Sequence, residues 1–182
     1  MQRDAFVGRV GHAPFLFVQS PPSNEPLRQA LATTVARSGR TVPPSPDGLP
    51  FFTASSHFTP TSQRSRGSEL TGTLFAVVLH KRAGSNTMSE HRICVGRAHG
   101  NDVVLRDPSV SKLHAWFERD EDGSYFVHDA GSRNGTMIGP ERGAPRIPRP
   151  VHTGSVVRFG SVVATFLSAE DTYALLTGAT TR

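Results

Sequence analysis

Apolar residues are distributed in two ways along this chain. Ahead of position 70 they are sparse. Residues 15–18 form one short continuous apolar run that predicts a strand. Leu27, Ala30, Leu31, Thr34 and Val35 recur at helical spacing and predict a helix over 26–38, closed by Gly39. From position 74 onward, short β-type runs alternate with turn residues, at 74–80, 92–96, 103–105, 113–119, 125–129, 156–159 and 162–168. Several alternate strictly: Leu113, Ala115 and Phe117 share one face, as do Tyr125, Val127 and Asp129. No long amphipathic helix separates these runs, which excludes a βαβ design and predicts an antiparallel β-sandwich. Trp116 and Phe126 then lie on the sheet face opposite Phe117 and Val127. Ser168-Ala169-Glu170-Asp171, with Tyr173, Leu175 and Leu176 beyond it, predicts a short capped helix near the C-terminal end.

Composition sharpens the division. Nine of the fourteen prolines fall in the first 70 residues, and residues 53–73 hold ten Ser or Thr. Such a stretch buries too little apolar surface to repay its ordering and reads as linker. Three segments follow: a partly disordered N-terminal extension over 1–70, a sandwich domain over 71–170, and a short C-terminal helix and tail over 171–182. Within the linker, Thr59, Thr61 and their neighbours are candidate phosphorylation sites. The longest apolar run, 74–79, is six residues, so no membrane span or membrane partner is expected. Residues 14–18 are too few for a signal-peptide core. Cys94 is the single cysteine, which excludes an intramolecular disulfide framework and a cysteine-cluster zinc site. A reducing, cytoplasmic setting is the expectation.

The formal net charge of +5 and pI of about 10.3 raise the question of nucleic acid. The charge is diffuse, with no basic run and no interleaved aromatics to form a stacking platform, and no nucleic-acid partner is expected. Eighteen of the twenty basic residues are Arg, whose forked donors suit anions.

In a sandwich, function gathers in loops at one end. Four loop segments are rich in donors: Gly96-Arg97, Asn101-Asp102, Ser111-Lys112-Leu113-His114 and Ser132-Arg133-Asn134-Gly135-Thr136. A phosphate needs a planar guanidinium, a hydroxyl, an ammonium and backbone amides at a rigid surface. Arg97, Ser111 and Lys112 supply those groups. Asn134 donates and accepts at once, which suits it to a peptide main chain. His114 is placed to bridge two loop backbones. It has no second His or Cys at ligand spacing, so no metal is expected. Gly135 tolerates the positive φ of a tight turn.

Gly96-Arg97, Asn101 through Leu105, Val110 through Ala115, Asp129 and Ser132-x-Asn134-Gly135-Thr136 together resemble a forkhead-associated (FHA) domain. Gly154, Val157, Phe159 and Gly160 are similar to that family's closing strand pair. The resemblance covers 74–168 and not the first 70 residues. It implies an all-β, eleven-stranded antiparallel sandwich that binds phosphothreonine peptides without catalysis or cofactor. By position it implies that Arg97 and Ser111, with Lys112 beside them, contact the phosphate. Asn134, with Arg133 at the variable position before it, would hold the peptide main chain. Gly96, His114, Asp129, Gly135 and Thr136 would support the site. The implied partner is a Thr-phosphorylated protein, a Ser/Thr kinase or its substrate among them. The chain departs from the family at Ile138-Gly139-Pro140, where Val-Asn-Gly is usual, and at Ser155, where an acid is usual.

Two rival functions use the same residues. Ser111, His114 and Asp129 contain the residue types of a hydrolytic triad, and Ser109-Val110-Ser111-Lys112 fits a Ser-x-x-Lys pattern. The partner motifs of such enzymes and a Gly-x-Ser-x-Gly elbow are missing. The second rival is a basic nucleic-acid-binding domain, which the absent aromatic platform disfavours.

Overall fold

The computed structural model describes residues 6, 11–37, 52–53, 73–85, 89 and 91–177. Gly39 and most of the Ser/Thr-rich stretch, Thr59 and Thr61 included, lie outside the described residues. The strands are β1 (Phe15–Ser20), β2 (Phe52–Thr53), β3 (Thr73–Val78), β4 (Arg92–Gly96), β5 (Val103–Val104) and β6 (Ala115–Arg119). They continue with β7 (Tyr125–Asp129), β8 (Thr136–Ile138), β9 (Glu141–Arg142), β10 (Arg149–Val151), β11 (Val156–Phe159) and β12 (Val162–Leu167). Helix α1 (Glu25–Arg37) follows β1, and α2 (Ala169–Thr177) follows β12.

Two sheets form the sandwich, one ordered β2-β3-β1-β12-β11-β8-β9 and the other β10-β7-β6-β4-β5. Period-two alternation sends Ala115 and Phe117 of β6, Val127 of β7, Val157 and Phe159 of β11, and Val162, Ala164 and Phe166 of β12 into one shared core. The architecture is the sandwich expected from the pattern, with two differences of detail. The described residues hold twelve strands rather than eleven: ten lie between Thr73 and Leu167, and β1 and β2 from the front of the chain join the first sheet. One pair, β4 with β5, is parallel.

Strand β1 lies between β3 and β12 and is buried on both faces, which explains its unbroken Phe-Leu-Phe-Val run. Leu16 and Val18 enter the main core, while Phe15 and Phe17 enter a second, outer cluster with Phe6, Ala169 and Tyr173. Helix α2 therefore seals the outer face of the first sheet. Its start is capped as the sequence predicts: the Asp171 amide donates to Ser168 Oγ at 3.0 Å. Helix α1 sends Leu27 and Leu31 into the main core, against β3 and β5. Asn24 caps it by accepting from the Leu27 amide at 3.1 Å, and its Nδ2 donates to Asp107 at 2.6 Å. Trp116 faces outward, stacked on His128 at 4.8 Å with Arg92 above it, and Cys94 is buried. No helix among the described residues is long and apolar enough to cross a membrane.

Candidate functional site

Three loops meet at one end of the sandwich: the turn after β4, the β5–β6 loop and the β7–β8 loop. Backbone bonds stitch the first two together. The Arg97 amide donates to the Ser111 carbonyl at 2.9 Å and the Ala98 amide to the Lys112 carbonyl at 3.1 Å. Asn101, which is buried, reinforces them by donating through Nδ2 to the carbonyls of Ala98 (2.8 Å) and Lys112 (2.7 Å). Gly96 belongs here because of space. A Cβ at this position would collide with the Lys112 carbonyl and lie 2.8 Å from Asn101 Nδ2.

His114 joins the second loop to the third. It is fully buried; its Nδ1 accepts the Ser111 amide proton at 3.0 Å and its Nε2 donates to the Gly135 carbonyl at 3.1 Å. Those two bonds require the neutral ring protonated on Nε2. Burial pushes its pKa below the ordinary value, and the Gly135 bond and the Asp129 charge only partly oppose that. Asp129 organises the third loop. Its carboxylate accepts from the Gly131 and Ser132 amides (both 2.9 Å), Ser132 Oγ (2.6 Å) and Thr136 Oγ1 (2.7 Å). Burial favours the neutral acid, but these bonds outweigh it and hold the pKa below the usual carboxylate value. Gly135 closes the turn at φ 79°, and an added Cβ there would also strike the Arg142 guanidinium.

On this frame stand the outward groups. Arg97, Lys112, Arg133 and Asn134 are exposed and Ser111 is half-buried. Arg97, an exposed residue, spends Nε on the Val110 carbonyl at 3.2 Å, which leaves its terminal nitrogens for a ligand. Ser111 Oγ accepts the Arg133 amide at 3.0 Å and keeps its own proton to donate. Asn134 Nδ2 donates to the Ser109 carbonyl at 2.7 Å, leaving its carbonyl oxygen and second proton free. Among the described residues no carboxylate pairs with Arg97, Lys112 or Arg133. The result is a cationic, donor-rich surface suited to a tetrahedral oxyanion attached to an extended chain.

The same geometry disposes of the hydrolytic triad. His114 receives the backbone amide of Ser111 rather than its hydroxyl, and the Asp129 side chain bonds Ser132 and Thr136 rather than the imidazole. Asn101 and Ser132, which stand in the donor-rich segments without an assigned role, serve the site by bracing its loops. Ser132 Oγ accepts the Gly135 amide at 2.9 Å while donating to Asp129. Among the described residues no cluster of His, Cys, Asp or Glu is arranged to hold a metal ion.

Comparison with known proteins agrees with this assembly of motifs. A family model described as "FHA domain" matches residues 93–160. The chain is 33% identical over 106 residues to an oxoglutarate dehydrogenase inhibitor of Corynebacterium diphtheriae, covering 56% of this chain and 71% of that one. It is 34% identical over 95 residues to human kanadaptin, covering 46% of this chain but only 13% of kanadaptin. Among solved structures, Mycobacterium tuberculosis EmbR, determined with a low-affinity phosphopeptide, is similar at 30% identity and a TM-score of 0.39. That match covers 42% of this chain and 20% of EmbR.

Proposed function

Because the chain belongs to the FHA-domain family, we propose that it is a phosphothreonine-dependent, non-catalytic protein-interaction module serving Ser/Thr kinase signalling. The observation that carries this reading is the group formed by Arg97, Ser111 and Lys112, whose donors are left over at the surface above the buried His114 brace. The Arg97 fork and the Ser111 hydroxyl take the phosphate, and the Lys112 ammonium adds a point charge. Asn134, with Arg133 beside it, holds the peptide main chain. Gly96, His114, Asp129, Gly135 and Thr136 act indirectly by fixing the loops. The partner is a protein phosphorylated on Thr, a Ser/Thr kinase or its substrate among them.

Threonine is preferred because its methyl can be buried against the Asn134–Gly135 turn, where serine leaves a void. One methyl is worth about 0.8 kcal/mol, or roughly fourfold in affinity. Calorimetry with the full chain tests the reading. A phosphothreonine peptide should bind and its phosphoserine counterpart should bind about fourfold more weakly. The unmodified peptide and a short DNA duplex should give no binding heat. Equal affinity for phosphorylated and unmodified peptides would refute the function.

A further inference from the structure

A second cationic feature stands outside this group of residues. Helix α1 crosses the edge strand β5, and between them lies a cavity of about 120 Å³. One wall is Gln29 and Thr33 of α1; the other carries Arg82, His99 and Arg106. Both guanidiniums are tied to His99: Arg82 Nη2 donates to its main-chain carbonyl at 2.6 Å, and Arg106 donates to its ring. Among the described residues neither guanidinium is paired with a carboxylate. Asp102 accepts the Arg82 amide and pairs with Lys81 instead, and the carboxylate of Asp107, next to Arg106 in sequence, accepts from Asn24, Ser109 and Ser161. Two guanidiniums with most of their donors unspent, facing a polar helix wall across room for several waters, match a tetrahedral dianion.

The position of this cavity gives it a use. Gly96 is in register with Val104 in the parallel β4–β5 pair, and the Leu105 amide donates to the Gly96 carbonyl at 2.9 Å. Arg97 and Arg106 therefore leave the same ends of adjacent strands, which lie about 5 Å apart. His99 follows Arg97 by two residues in the same turn. One extended ligand can reach both places.

We propose that the Arg82–His99–Arg106 cavity binds a second phosphate carried by the same partner, so that the preferred ligand is a doubly phosphorylated segment. The inference rests on the phosphothreonine reading of the first site. Once the first phosphate is held, the second meets its cavity at an effective concentration of about millimolar, so a weak contact yields about tenfold in affinity.

Calorimetry on the full chain tests it, using one singly phosphorylated threonine peptide. A matched series carries a second phosphate two to six residues away on either side. At one or more spacings the second phosphate should raise affinity about tenfold. The gain should vanish in an Arg82→Gln, Arg106→Gln double variant that still binds the singly phosphorylated peptide as tightly as the parent. No gain at any spacing, or a gain that survives in the double variant, overturns the inference while leaving the first site standing. Failure of the singly phosphorylated peptide to bind overturns both readings. Inorganic phosphate alone is titrated against the Arg side-chain NMR signals. Saturation there without any gain from the doubly phosphorylated peptides would assign the cavity to a free anion and overturn the inference as well.

Discussion

Arg97 and His114 illustrate two ways in which one side chain can matter. Arg97 is exposed and, beyond its bond to Val110, offers its charge outward. Arg97→Ala should abolish phosphopeptide binding at an unchanged melting temperature, a loss of about 2–5 kcal/mol in binding. Arg97→Lys should recover only part of it, because an ammonium cannot present the fork. His114 is buried between two loops, so His114→Ala should lower both the melting temperature and the affinity. Leaving the Ser111 amide without its acceptor costs about 1–3 kcal/mol. Ser111→Ala should mainly weaken binding. Equal, negligible melting shifts in the two variants would mean that these roles are misassigned. The imidazole also fixes a pH dependence. Well above pH 6.5 folded and unfolded chains both hold His114 neutral, and the brace contributes in full. As pH falls through that value the unfolded chain takes a proton that the folded one resists, and stability drops. His128, lowered chiefly by burial, acts in the same window. Melting temperatures measured from about pH 8 to pH 5 should therefore decline, and His114→Ala should flatten the slope. A second step, below about pH 3.8, belongs to Asp107 and Asp129, both held under their ordinary values.

Among the elements, β1 carries the most consequence for its length. Phe15, Leu16, Phe17 and Val18 are all buried, and burying each such side chain is worth about 1.5–3 kcal/mol. Their sum is comparable with the whole stability of an ordinary domain, about 5–15 kcal/mol. A chain trimmed to 71–182 should therefore be insoluble or molten by near-ultraviolet circular dichroism, whereas 11–182 should melt cooperatively. A cooperative, soluble 71–182 fragment would show that β3 and β12 need no strand between them. Much of the rest was legible beforehand. The runs at 92–96, 125–129 and 156–159 coincide with β4, β7 and β11 because half-buried strands alternate. Strands β8, β9 and β10 leave no signal in the sequence for a physical reason: two or three residues carry no period, and the Gly139-Pro140 and Pro148-Arg149-Pro150 neighbourhoods look like loop. Neighbouring strands, not local preference, make them strands. The outward residues of the site could be found from motif order. Asn101 and Ser132 stand in those motifs too, but their bracing roles and the part played by Asp107 could not be read, because they work through carbonyls, amides and side chains across loops that sequence does not show to be adjacent.

For the molecule as a whole, the charge of +5 is diffuse along the sequence, with no basic run. Affinity for a singly phosphorylated peptide should accordingly fall only about two- to fourfold between 50 and 200 mM salt, because one dianion displaces few counterions. A drop of a hundredfold or more, followed by calorimetry across a salt series, would point to a polyanion instead. The order of manufacture is a different matter. Phe15 is in register with Leu167, so the first of the described strands is completed by the last of them. At about 5–20 residues per second, roughly ten to thirty seconds pass between their appearances. Throughout that interval the Phe-Leu-Phe-Val run has no partner on its β12 side, and β3 supplies only the other edge. The sandwich is thus closed by strands far apart in the chain, and until β12 appears this wholly buried apolar run is open to chaperones and to other nascent copies.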